Sequence, residues 1–188
     1  MIEPGRIVLL NGTSSAGKSS IAEELLRRWP RPAFRLAVDD LNALRAKAQT
    51  LALPEPELGE TLCRTRAGFH RVVAGMAAAG NDVIMDHVLS EPWRLADCLE
   101  LFRPFPVLLV GVRCAPEELT RRERARGDRH PGTAAAQLAL VHAHGDDDLT
   151  VDTTDRSPAD CAAEILAAVP AMGEPNAFSR LRARILDQ

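Results

Sequence analysis

The residues most able to do chemistry in this chain lie near its start, in "LLNGTSSAGKSS". Gly12, four residues, then Gly17, Lys18 and Ser19 give the spacing G-x-x-x-x-G-K-S/T. An apolar β-like run, Ile7 to Leu10, precedes it. The segment that follows carries Ile21, Leu25, Leu26 and Trp29 on one predicted helical face. Strand, glycine loop and helix form the setting in which this spacing holds the phosphates of a nucleoside triphosphate. Glycine lets backbone N–H groups approach phosphate oxygens, and the helix N-terminus adds unpaired donors and partial positive charge. The binding loop is therefore Gly12, Thr13, Ser14, Ser15, Ala16, Gly17, Lys18, Ser19 and Ser20. Lys18 is assigned to the β- and γ-phosphates and the Ser19 hydroxyl to Mg²⁺. ATP and Mg²⁺ are the expected cofactor pair.

Further acids stand at two predicted strand ends, where open α/β sheets place their ligands. In "AVDDLN" one of Asp39 and Asp40 is expected to cap a helix starting at Leu41, and the other is free for chemistry. Asp39 is assigned as the base that takes a proton from a substrate hydroxyl, and Asp40 as the structural partner. Asp86, ending "DVIMD", is placed to serve the metal or the acceptor, with strand-end capping as its plain alternative. His87 beside it reads either as a substrate contact or as a solvated loop residue. In "LTRRERARGDR", Arg122, Arg126 and Arg129 have the spacing i, i+4, i+7. Arg126 and Arg129 are assigned to the transferring phosphoryl group, with Gly127 ending the helix. Arg121 and Arg124 are expected to be solvated and paired with nearby glutamates. His142 and His144, two apart on a predicted helix, are not expected to face each other. Asp146 to Asp148 read as a surface acidic run.

The elements that must position these groups alternate in type. Strands are expected at 6–10, 34–38, 82–86, 106–112 and 149–152, mostly apolar as in parallel strands buried on both faces. Helices are expected at 60–79, 91–102, from Pro116 onward, 134–144 with Thr133 as cap, and 158–168 opened by Ser157–Pro158. The alternation predicts an α/β fold with three layers: a central, mostly parallel five-stranded sheet and helices on both faces. Pro54 and Pro56 predict a loop over 49–60. Residues 1–170 are read as one domain with a lid near 117–132, and 171–188 as a linker and short amphipathic helix that packs back on it.

Composition narrows the class. The 188 residues carry a formal charge of −3, which speaks against nucleic acid as partner. No apolar run reaches the roughly 20 residues of a membrane span. The start opens directly into the first strand, so no signal peptide is expected, and a cytoplasmic location is. Cys63, Cys98, Cys114 and Cys161 are scattered and read as buried thiols, with neither a disulfide framework nor a zinc site.

Taken in order, the P-loop "SSAGKSS", the "VDD" after the second strand, "VGVRC", "ARGDR" and "VDTTD.SP" resemble the chloramphenicol phosphotransferase family over about residues 6–168. The resemblance implies a P-loop kinase fold and ATP-dependent phosphorylation of a hydroxyl on a small antibiotic. By position it matches Asp39 to the family's catalytic aspartate, Lys18 to its phosphate lysine, Arg126 and Arg129 to its lid arginines, and 151–154 to the place of the adenine. It departs at Asp86–His87, where the family has two acids, and at the proline-rich 49–60. A metabolic or nucleoside kinase of the same fold, and a nucleotide-binding regulator without turnover, are the competing readings. The chain is expected as a monomer or homo-oligomer.

Overall fold

The computed structural model describes residues 3–126 and 132–185. Its centre is a five-stranded sheet of β1 (Ile7–Asn11), β2 (Ala33–Ala37), β3 (Asp82–His87), β4 (Val107–Arg113) and β5 (Leu149–Asp152). The spatial order is β2-β3-β1-β4-β5, and every pairing is parallel. Parallel neighbours need crossovers, and helices supply them. These are α1 (Lys18–Arg28), α2 (Val38–Ala43), α3 (Lys47–Leu51), α4 (Glu57–Ala78), α5 (Pro92–Leu101), α6 (Pro116–Arg126), α7 (Thr133–Val141), α8 (Pro158–Ala168) and α9 (Ala177–Ile185).

All five β1 residues are buried, which accounts for the unbroken apolar run before the loop. Successive strand side chains point to opposite faces, so β1 feeds two cores. Val8 and Leu10 pack with Ile21, Leu25 and Ile165 from α1 and α8. Ile7 and Leu9 pack with Val73, Leu95 and Phe178 from α4, α5 and α9. Phe178 stacks on Phe102, with ring planes 13° apart and centroids at 6.2 Å, so α9 lies against the sheet's second face. At the lower strand ends, buried Asp82 accepts from the Arg6 amide, the Trp29 indole and Arg31. Burial alone would raise its pKa, but these donors outweigh that and hold it below the usual carboxylate value.

Several local expectations change. The 49–60 stretch is a loop only in its middle: α3 runs to Leu51 and α4 begins at Glu57. Proline just before a first helical turn is harmless, because no intrahelical partner awaits its missing N–H. α7 is capped by Gly132, at φ 88°, rather than by Thr133, and it stops at Val141. Leu26 of α1 is exposed, leaving Ile21, Leu25 and Trp29 as the buried stripe. Among the described residues no helix is long and apolar enough to cross a membrane.

Register is what assembles the site. Leu10 lies beside Asp86, Asp86 beside Ala37, and Asn11 beside both His87 and Gly111. The exits of β1, β2 and β3 thus share one edge.

Candidate active site

The loop after β1 turns under tight steric control. A side chain at Gly12 would stand 2.5 Å from the Val112 carbonyl oxygen, so the loop can pass β4 only without a Cβ. Ser15, at φ 62°, and Gly17, at φ 90°, are both left-handed, the backbone conformation from which anion-binding nests are built. The loop is tied from outside. The Thr153 hydroxyl donates to the Ala16 carbonyl at 2.9 Å, and Arg122 donates to the Thr153 hydroxyl and carbonyl at 3.0 and 2.6 Å. Gln137 of α7 accepts from the Ser14 amide at 2.7 Å. The stretch 151–154 therefore buttresses the phosphate loop and helix α6 together.

Ser19 and Asp86 meet. The Ser19 hydroxyl donates to Asp86 Oδ2 at 2.7 Å. Lys18 Nζ lies 3.8 Å from Asp86 Oδ1 and donates to the Thr13 carbonyl at 2.8 Å. A hydroxyl and a carboxylate side by side are hard oxygen donors, the set Mg²⁺ accepts while keeping sites for water and phosphate oxygens. The donor chemistry fits the ion. Strand-end capping does not describe Asp86, which faces the loop.

Asp39 and Asp40 lie in the first turn of α2, and both are exposed. Neither is an N-cap: Ala37 holds that position without a side-chain bond. The expected helix start at Leu41 is thus corrected to Val38, because the chain turns helical directly from β2. Asp40 pairs with Arg35 at 3.1 Å. Asp39 opens on the same cleft as Lys18, Ser19 and Asp86, a space of about 690 Å³.

Several residues depart from their expected settings. His87 is buried, not solvated: its Nε2 lies 3.0 Å from His70 Nε2, and His70 Nδ1 lies 2.6 Å from Asp97. Burial foremost, then His70 and nearby cations, drives the His87 pKa well below the ordinary histidine value, so the ring is neutral. His142 and His144 do come together, with their ligating atoms and that of Asp147 within 4.8 Å, because the helix ends before them. Asn11 donates toward His144, and Asp148 accepts from the Leu109 and Ala177 amides, so this run braces the fold instead of coating its surface. Arg121 pairs with Glu118 as expected. Arg129 and the side chain of Arg126 lie outside the described residues.

The cleft also recruits residues that the sequence did not single out: Arg35, Arg66, Arg94 and Arg156 line it, with Gln137. An arginine on a helix, an edge strand or a turn carries no sequence signal that separates a cleft-facing one from a solvated one.

A family model described as chloramphenicol phosphotransferase-like protein matches residues 5–170. The chain belongs to this family. A Mycobacterium tuberculosis protein, provisionally named an O-phosphotransferase, is 32% identical over 202 residues, covering 97% of this chain and 90% of the relative. Among solved structures, the M. tuberculosis APS kinase CysC bound to AMPPNP and APS superposes with a TM-score of 0.68 at 19% identity, covering 89% and 98% of the two chains. Shikimate kinase from Acinetobacter baumannii gives a TM-score of 0.65 at 16% identity, covering 90% and 95%. The fold is that of P-loop kinases, and the chain is a nucleotide-binding small-molecule O-phosphotransferase, a kinase with a hydroxyl acceptor.

Proposed function

We propose that the enzyme moves the γ-phosphate of ATP to a hydroxyl of a small molecule, an antibiotic being the acceptor class that the family's name suggests. One observation supports this above the rest: Asp39 faces the same cleft as Lys18 and the bonded pair Ser19–Asp86. A protein that only binds nucleotide needs no carboxylate across from its phosphate loop.

In this reading the loop amides and Lys18 hold the β- and γ-phosphates, and Ser19 and Asp86 hold Mg²⁺. The ion supplies positive charge against the phosphate oxygens. Asp39 accepts the hydroxyl proton as the acceptor oxygen bonds to the γ-phosphorus. The bond from that phosphorus to the β–γ bridging oxygen breaks, and ADP leaves. Arg126 and Arg129, on a lid over 117–132, are proposed to face the charge of the transferring group. The free thiols, Cys98, Cys114 and Cys161 buried as expected and Cys63 only partly so, suit a reducing cytoplasm.

The test is an ATP-consumption screen across hydroxyl-bearing antibiotics and metabolites, with product detected by mass. Turnover that needs Mg²⁺ and falls by roughly 100-fold or more in Asp39→Asn supports the reading. Tight ATP binding with no turnover on any hydroxyl compound would leave a nucleotide-binding regulator instead.

A further inference from the structure

The cleft holds more positive charge than a neutral alcohol requires. Arg35, Arg66 and Arg94 all line it. Arg35 is paired with Asp40. Arg94, on α5, is 6% exposed, held by the Val88 carbonyl at 2.9 Å, the Ser90 hydroxyl at 3.1 Å and Glu91. Its Nε is buried without a partner. Arg66, on α4, is half-buried, and among the described residues nothing bonds to its guanidinium. Burial, and next the charge of Arg66, lowers the Arg94 pKa, so the two guanidiniums feel each other. Against them stands Glu91, whose own side chain is 44% exposed. Asp39 and Asp40 belong to the β2–α2 wall.

Glu91 bonds Arg94 and lies in the field of Arg66 as well, so two cations partly out of water share one anion, and a second anion is favoured beside them. The guanidinium fork matches two oxygens of a carboxylate, a phosphate or a sulfate, whereas a neutral hydroxyl leaves its charge unanswered. We propose that Arg66, with Arg94 behind it, binds an anionic group of the acceptor, which makes the acceptor an acidic alcohol: a hydroxy acid, or an alcohol bearing a phosphate or sulfate ester. This rests on the kinase reading and narrows it. Chloramphenicol, which carries no ionised group at neutral pH, does not fit.

The experiment first fills the phosphate loop with AMPPNP and Mg²⁺, then titrates sodium sulfate by calorimetry. Arg66→Ala is expected to weaken sulfate binding about 10-fold or more, the loss of a charge-assisted contact, with Arg66→Lys between. Arg64→Ala, exposed on the same helix, is the control and leaves sulfate binding unchanged. In parallel, ATP turnover is compared for D-glycerate against glycerol, quinate against methyl quinate, and glucose 6-phosphate against glucose, with chloramphenicol beside them. A preference of about 10-fold or more in kcat/KM for charged members, collapsing in Arg66→Ala, supports the proposal and separates carboxylate from phosphate ester. If AMPPNP itself does not bind, the kinase reading fails first. With AMPPNP bound, absent sulfate binding, binding indifferent to Arg66→Ala, or equal use of neutral alcohols overturns the anion site while the kinase stands. If no alcohol in the panel turns over, the sulfate titration decides alone.

Discussion

In one part of the cleft, consecutive residues from Gly12 to Ser20 form the phosphate loop, held by Thr153 and facing Asp86. Toward the β2 side of the sheet, Arg35, Asp39, Arg66, His87 and Arg94 arrive from β2, α2, α4, β3 and α5. The first part works mainly through backbone, whose donors are the same whatever side chains surround them. The second works through side chains, each set by a different element. Changes of substrate within such a fold therefore fall on the second part, while the first is constrained by steric limits such as Gly12 against Val112.

The strongest way to break this contrast is Lys18→Ala. Losing the point charge on the phosphates should abolish transfer to every acceptor and weaken ATP binding. Near-parental turnover would show that the loop does not hold the triphosphate.

Asp39→Asn comes next and probes the other part. Transfer should drop roughly 100-fold or more, while calorimetric ATP affinity stays within a few-fold, because the carboxylate accepts a proton and holds no phosphate. Asp40→Asn, which loses only the Arg35 pair, should cost far less. A dead Asp40→Asn beside an active Asp39→Asn would reverse the assignment.

Asp86→Asn should raise the Mg²⁺ concentration for half-maximal activity by about 10-fold or more, since an amide is a poorer ligand than a carboxylate. An unchanged Mg²⁺ curve would move the metal elsewhere.

Thr153→Val removes the hydroxyl that joins Ala16 to Arg122. About 1–3 kcal/mol of stability should go with it, as buried partners are left unmatched, and nucleotide affinity should weaken only a few-fold. Calorimetric unfolding and AMPPNP titration measure both.

The smallest effect is on pH. His70, His87 and His142 have folded pKa values below the unfolded histidine value, chiefly through burial, with His142 at about 4. As pH falls below about 6.5 the unfolded chain takes up protons that the fold refuses, so stability declines from pH 7 toward 4. Tm should fall steadily across that range. A flat profile would mean these rings are charged in the folded protein.

The phosphate-loop spacing, the strand-end Asp86 and the alternation of elements were legible from the order of residues, because each depends on neighbours within a dozen positions. A glycine spacing that only a tight anion-binding turn requires, an unbroken apolar run that only a doubly buried strand requires, and a Ser–Pro helix start are local statements, and Ser157 does accept from the Asp160 amide. What tertiary structure alone decided was which distant groups meet. Parallel register brought Asp86 to Ser19, across 67 positions, and Thr153 to Ala16, across 137. The end of α7 at Val141 turned two histidines toward one aspartate, against the helical spacing. Packing of α4 and α5 over the sheet turned Arg66 and Arg94 inward, where their sequences show only charged helix surface. Such meetings depend on the burial of whole faces, and a charged residue in a helix carries no local mark of which way its face will turn.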